Sequence, residues 1–404
     1  MQYRKFKADR LFDGYTFRET DAILITDETG IVQDIVPIAD AGDDIQQLNG
    51  ILSPGLINCH CHLELSHLKN VIPPHTGLID FLCSVVTKRE APPQPPPEGE
   101  EFKTSDEIKQ LTIATAEKEM YENGIVAVGD ISNTADTALI KSKSNIRWQN
   151  FVEVLGFYDG KAEATMQQYR NIARELEDAL RSSYIIHRTS LVPHAPYSVS
   201  AKTFQLINEA TAGQIISIHN QENPAEDELY KTGGGEFLKL FTIFGIETSP
   251  FNITGKSSIR SYLPFFNNGQ TIFLVHNTFM PEEDIAWANE YAAANGLKLV
   301  YCLCPNANLY IENRTARVEF FLKYNCHLVL GTDSYSSNWQ LSVTKEIQAL
   351  LQHTSVTIEQ ALQMATLNGA KALQWDDALG SFEKGKKPGV VLMADDFSNS
   401  KRIL

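Results

Sequence analysis

The chain has 404 residues, 43% of them hydrophobic, and a formal net charge of −15. That length suits one large domain, alone or with a small one, and supplies a sizeable core. The acidic balance argues against nucleic acid and anionic membrane surfaces as partners, because a phosphate-binding face needs an excess of Lys and Arg.

The N-terminus, Met1-Gln2-Tyr3-Arg4-Lys5-Phe6, lacks the apolar core of a secretory signal, and no apolar run reaches membrane-spanning length. A cytoplasmic protein with a small-molecule partner is expected. Cys59, Cys61, Cys83, Cys302, Cys304 and Cys326 are read as reduced thiols. Cys302 and Cys304 form C-x-C rather than the C-x-x-C of structural zinc sites, so no Cys is taken as a ligand.

The first fifty residues read as short antiparallel strands, including Ala22-Ile23-Leu24-Ile25 and Ile31–Val36. From Gly55 onward, short apolar runs alternate with helical stretches, the sign of β/α units. Eight strands are predicted: Leu56–His60, Ile125–Asp130, Asn150–Leu155, Thr189–His194, Ile215–His219, Ile272–His276, Lys298–Leu303 and His327–Asp333. Helices are predicted at Thr104–Asn123, Ala162–Ser182, Pro281–Asn295 and Thr344–His353. Eight alternating units make an α/β protein with a (β/α)8 TIM barrel, whose catalytic residues sit at the C-terminal strand ends. The segment Gly380–Leu392 reads as a hairpin returning to the N-terminal β layer. Residues 1–53 and 376–404 then form one small β domain around the barrel of residues 54–375. The stiff segment Ala91–Glu100 is read first as a solvated spacer and second as a lid or dimer contact. A homodimer is the one protein partnership left open.

His60 and His62 close the first barrel strand one residue apart, and strand geometry puts positions i and i+2 on one face. His219 closes the fifth strand and Asp333 the eighth. Three His and one Asp at strand ends suit one divalent metal with an open position, zinc or ferrous iron. Such a metal lowers the pKa of a bound water toward neutrality. Glu222, three residues after His219, is placed to take the water proton and pass it to a substrate ring nitrogen. His276, at the sixth strand end, is placed to orient the hydroxide. Asp333 has a second expected role, accepting a proton for the leaving group. His194, before a proline-bounded loop, is expected to bind substrate. Glu64, Arg147 and Glu153 are read either as substrate-binding groups or as salt-bridge partners. His67, His75, His187, His327 and His353 are read as structural or exposed.

Together these residues resemble the amidohydrolase superfamily over essentially the whole chain. The resemblance rests on Leu52-Ser53-Pro54-Gly55-Leu56-Ile57-Asn58-Cys59-His60-Cys61-His62, on His219 with Glu222, on His276, on Gly331-Thr332-Asp333-Ser334 and on Ala365–Leu373. It implies a distorted (β/α)8 barrel with a small composite β-sandwich. Binuclear members carry a carboxylated lysine on strand four. The fourth strand here, Ser190-Leu191-Val192-Pro193-His194, has none, so a single metal is implied. Some members use a strand-three Glu as a ligand, which keeps Glu153 open as support for a second metal. The His-x-x-Glu pattern with His276 is similar to the deaminase branch, which includes guanine, cytosine and S-adenosylhomocysteine deaminases and related triazine chlorohydrolases. Within it, His62-Leu63-Glu64-Leu65-Ser66, Phe151–Gly156, His194–Ser198 and Ser336-Ser337-Asn338 most resemble the aminodeoxyfutalosine deaminases. Gly385-Lys386-Lys387-Pro388-Gly389-Val390 departs from that branch's usual Gly-Lys-x-Ala-Asp-Leu, and the loop after Glu222 also differs.

The expected function is hydrolytic deamination of an amino-substituted purine-like or related heterocycle, with attack by metal-bound hydroxide and release of ammonia. The alternative is cleavage of an amide, a cyclic ureide or a carbon–chlorine bond at the same site. A non-catalytic scaffold would be expected to lose ligands, and this chain keeps all four with Glu222 and His276. The His-x-Glu…Pro-Cys-x-x-Cys pattern of the nucleic-acid deaminases is absent.

Overall fold

The computed structural model describes residues 3–89, 104–248 and 251–404. The proline-rich segment 91–100 lies outside them. The eight barrel strands are β5 (Leu56–Cys61), β6 (Ile125–Ser132), β7 (Arg147–Val154), β8 (Arg188–Pro193), β9 (Ile215–Asn220), β10 (Thr271–His276), β11 (Lys298–Leu303) and β12 (Leu328–Leu330). Four precede them: β1 (Tyr3–Leu11), β2 (Ala22–Asp27), β3 (Val32–Pro37) and β4 (Ile45–Pro54). Two follow: β13 (Val390–Met393) and β14 (Ser400–Arg402).

The barrel strands are short apolar runs, and β5, β6, β9 and β10 are buried at every position. That pattern belongs to parallel strands covered on both faces. All pairings within the barrel are parallel, β5 to β8 forming one four-stranded sheet and β9 to β12 the other. The two sheets meet at two sparse seams. At one, His219 N–H donates to the His194 carbonyl at 3.0 Å. At the other, Thr332 and Asp333 N–H both donate to the His60 carbonyl at 3.0 Å. The barrel is therefore distorted where the site residues sit.

Helices cover the strands at Ser105–Glu122, Ala162–Leu180, Glu282–Ala294 and Val343–His353. Thr104 starts the first with a capping box to Glu107, and Ser342 caps the last by accepting from Lys345 N–H. In Ala162–Leu180 the buried face runs through Met166, Tyr169, Leu176 and Leu180 at helical spacing. Among the described residues no helix is long and apolar enough to cross a membrane.

Both chain ends build one six-stranded sheet in the order β14-β13-β4-β1-β2-β3. The tail pairs antiparallel with β4, Val391 opposite Ser53. The hairpin is β13–β14 rather than Gly380–Leu392. Pro388 cannot donate to a ladder, and Gly385 and Gly389 take φ of 88° and 77°, so the earlier stretch is a loop. That loop still reaches the N-terminal layer, through Phe382 N–H to Asp13 O at 2.8 Å and Gly385 N–H to Val32 O at 2.9 Å. The last barrel strand is shorter than the apolar run Leu328–Thr332 suggests. After Leu330 the chain leaves the ladder, and Asp333 takes φ 58°.

Candidate active site

His60 and His62 leave β5 on one face, and their Nε2 atoms stand 3.6 and 3.5 Å from Asp333 Oδ1. His60, His62 and His219 each offer a ring nitrogen within 4.8 Å of the others. Gly331 lets the eighth strand approach this closely, since a Cβ there would lie 2.7 Å from His60 Cβ. Asp130 Oδ1 accepts the Leu63 N–H at 2.8 Å and so fixes the turn after His62. Its charge is met by Lys141 Nζ at 2.6 Å, with both side chains fully buried.

The ring orientations follow from partners that can only accept. His219 Nδ1 donates to the His194 carbonyl at 2.8 Å, which turns Nε2 toward His60 and His62. His276 Nδ1 donates to Asn308 Oδ1 at 2.9 Å, leaving Nε2 3.7 Å from Glu222 Oε1. Asp333 Oδ2 accepts from Ser337 Oγ at 2.6 Å. His276, Asp333 and Gln221, next to Glu222, take φ of 71°, 58° and 42°. Left-handed backbone at non-glycine residues costs free energy and persists where surrounding structure enforces it.

Burial sets the protonation states. It lowers the pKa of His60 and of His219 to about 4, and holds His62 well below the ordinary imidazole value. Neutral imidazoles are the form a metal binds. Burial also opposes ionisation of Asp333, but the surrounding imidazoles of His60, His62 and His276 hold its carboxyl well below the usual range. Glu222 moves the other way. Burial first, then the Asp333 and Glu312 charges, push it well above the ordinary value.

Both ring nitrogens of His60 are buried without a hydrogen-bond partner. Such a group is costly inside a protein unless something binds it. A divalent ion fits, because three neutral imidazoles and an ionised carboxylate converge at hard-to-borderline donor positions. Glu153, His194 and His219 form a second, overlapping group of possible ligands. His219 has committed Nδ1 to a carbonyl, so its one free nitrogen serves one ion, and the two groups cannot both be filled through it.

A cavity of about 500 Å³ opens onto His62, His219, Glu222, His276 and Asp333. His194 and Glu153 also line it, and Leu65, Leu78, Phe81, Leu82, Val85, Phe157 and Phe244 give it a large apolar lining. Two expectations are corrected as substrate groups. Arg147 opens β7 and pairs with Ala127, at the N-terminal strand end. Seven strand residues follow it before the barrel mouth, roughly 23 Å away. Glu64 does not line the cavity. It is a salt-bridge partner, its Oε1 accepting from Arg89 Nη2 at 2.6 Å.

Sequence reasoning missed Arg89, Asn133, Asn308 and Ser337. Arg89 and Asn133 line the cavity, while Asn308 and Ser337 hold His276 and Asp333. Nothing local marks the first three. Ser337 could have been suspected from its place four residues after Asp333.

The chain is 27% identical over 357 residues to 5-methylthioadenosine/S-adenosylhomocysteine deaminase of Teredinibacter turnerae, covering 84% of this chain and 71% of that protein. It is 26% identical over 310 residues to aminodeoxyfutalosine deaminase of Nitratiruptor sp., covering 75% and 68%. The crystal structure of Helicobacter pylori aminofutalosine deaminase in complex with methylthio-coformycin shares the fold, with a TM-score of 0.76, 22% identity, and 97% and 92% of the two chains covered. The Amidohydrolase family model matches residues 51–403, and the chain belongs to that family.

Proposed function

We propose that this protein is a metal-dependent hydrolytic deaminase of a 6-aminopurine nucleoside that carries a substituent beyond the sugar. The observation that carries the reading is the joint placement of Glu222 and His276 beside the His60, His62, His219 and Asp333 cluster, with all of these but His60 lining one cavity. The relatives named for adenosine-like substrates support the purine class. The cavity supports a further substituent, because much of its lining is apolar.

His60, His62, His219 and Asp333 would hold the ion, zinc being proposed and ferrous iron the alternative. When bound, a divalent ion there acts as a Lewis acid that lowers the pKa of the attacking water. His276 uses its Nδ1–H to donate a hydrogen bond to Asn308 Oδ1, so Nε2 would accept a hydrogen bond from that water and orient it. Glu222 takes one water proton and delivers it to a ring nitrogen of the base. Burial raises its pKa above the ordinary carboxyl value, which makes Glu222 a stronger proton acceptor than an exposed carboxylate. Asp333 accepts the second proton and returns it to the departing amine. His194 has Nδ1 on Ser198 Oγ at 2.7 Å and turns its other edge to the substrate. The sum is water plus amine giving the oxo base plus ammonia.

The test is ammonia release by the zinc-loaded protein from adenosine, 5′-deoxyadenosine, 5′-methylthioadenosine, S-adenosylhomocysteine, guanine and cytosine. Ammonia from the adenine nucleosides supports the proposal. Ammonia only from guanine or cytosine rejects the nucleoside class, and silence throughout moves the assignment to amide, ureide or carbon–chlorine cleavage.

A further inference from the structure

Glu222 stands between two clamped neighbours. On one side Asn223 caps the helix Pro224–Thr232, its side chain accepting from Ala225 N–H, and its Nδ2 donates to Glu312 Oε1 at 2.8 Å. On the other side Gln221 takes φ 42°, a left-handed conformation that a non-glycine residue keeps only where its surroundings enforce it. The group that meets its backbone N–H is Glu226, in the first turn of that helix. Glu226 Oε1 accepts the Gln221 N–H at 3.0 Å and also accepts from the Ser258 hydroxyl. The rest of Gln221 is held as well. Its carbonyl accepts the Phe279 N–H at 2.9 Å, and its Nε2 donates to Asp284 Oδ2 at 2.9 Å.

An acidic residue in a first turn can favour its helix from the surface. Glu226 is instead 0% exposed, and its Oε2 is buried without a hydrogen-bond partner. That placement costs free energy, and helix stability does not require it. Burial pushes its carboxyl up to about 8, so near neutral pH it is mainly the uncharged acid and acts by accepting hydrogen bonds.

We propose that Glu226 is a positioning residue that reaches back across Glu222, fixes the Gln221 backbone, and so sets where the Glu222 carboxyl stands, 3.7 Å from His276 Nε2. This rests on the reading of Glu222 as the proton shuttle of a deaminase. Glu226 does not line the cavity, so it acts through Gln221 rather than on the substrate.

The test measures kcat, KM and zinc content for Glu226→Met and Glu226→Gln, in the wild-type and the Glu222→Gln backgrounds, with the best nucleoside of the panel above. Met fills the space without an acceptor, and Gln keeps the acceptor. Glu226→Met should lower kcat by roughly 10- to 100-fold, the effect of displacing a reacting group by about 1 Å, with KM and zinc content unchanged. Glu226→Gln should recover most of that loss. In the Glu222→Gln background, Glu226→Met should lower kcat by less than about threefold, because no shuttle is left to position. Should Glu226→Met not fold, Glu226→Asp, one carbon too short to reach Gln221, carries the same comparison. An equal loss in the two backgrounds makes Glu226 a general support and overturns the proposal. So does Glu226→Gln as slow as Glu226→Met. If no nucleoside yields ammonia, the deaminase reading fails instead, and crystal structures of wild type and Glu226→Met decide the positioning. Gln221 leaving the left-handed region with a wider Glu222–His276 gap upholds it, and an unmoved Gln221 overturns it.

Discussion

At the scale of single residues, the chemistry depends on protonation states that burial imposes. Glu222 is buried in the cavity lining, and burial, with the Asp333 and Glu312 charges, raises its pKa above the ordinary carboxyl value. Glu222→Gln keeps shape and loses the shuttle. It should retain its metal while turnover drops by roughly 10²- to 10⁴-fold, measured as metal content and ammonia rate on one preparation. Near-normal turnover would remove Glu222 from the mechanism. The imidazoles behave in the opposite sense. His60 and His219 have folded pKa values of about 4, below the unfolded value, so the unfolded chain takes up protons first as pH falls. Their contribution to stability is present above about pH 6.5 and is lost as pH drops toward 4. Since they are already neutral near pH 7, metal affinity should stay nearly flat from about pH 8 to 6, measured by chelator competition. A steep fall across that window would contradict the burial argument. His60, His62, His219, Glu222, His276 and Asp333 were legible in the sequence because each ends an apolar run or follows one at short spacing. Arg89, Asn133 and Asn308 were not, because they reach the site through space from elements with no such spacing.

At the scale of elements, the site occupies the places where the barrel is least continuous. The seam between β5 and β12 is held by backbone donors from Thr332 and Asp333 to one carbonyl, that of His60, a proposed ligand. Gly331 makes that seam possible. Gly331→Ala would place a Cβ against His60 Cβ and Cys302 Sγ, at 2.7 and 3.0 Å. Overpacking of this kind costs about 1–3 kcal/mol. Here the displacement falls on a ligand strand, so metal affinity should weaken along with thermal stability. An alanine variant with wild-type metal affinity would show that the seam does not set ligand spacing. The strands themselves were legible, Lys298–Leu303 to the residue, because parallel strands buried over most of their length read as compact apolar runs. Element direction also explains the Arg147 correction. A residue at the start of a parallel barrel strand faces away from the catalytic mouth, whatever its charge. The tail hairpin was displaced by ten residues because its glycines and Pro388 resemble a turn between strands, when they form the loop leading into one.

At the scale of the whole molecule, the two chain ends brace the barrel from its far side. Beyond the β13–β4 pairing, Arg402 donates from Nη2 to the Ile125 carbonyl at 2.7 Å and from Nε to the Tyr121 carbonyl at 2.8 Å. The last strand is thereby tied to the start of β6, and Phe382 and Val390 complete the small core around Phe6, Leu24 and Leu52. Removing residues 390–404 should expose that core, lower the thermal midpoint and promote aggregation, read by calorimetry and light scattering. An unchanged midpoint would make the composite sheet an appendage rather than a brace. The overall architecture was legible because the β/α alternation is regular. The partner of the N-terminal layer was harder to place, since it lies more than three hundred residues away in sequence.

The proposed deamination of an adenine-type nucleoside depends on a metal held by His60, His62, His219 and Asp333. The most direct measurement is ammonia release from 5′-methylthioadenosine by protein stripped with a chelator and then titrated with zinc. The account predicts no release from stripped protein and a linear gain that saturates near one zinc per chain, with Asp333→Asn failing to saturate at that ratio. Full activity in the stripped protein, or saturation of Asp333→Asn at the wild-type ratio, would contradict it.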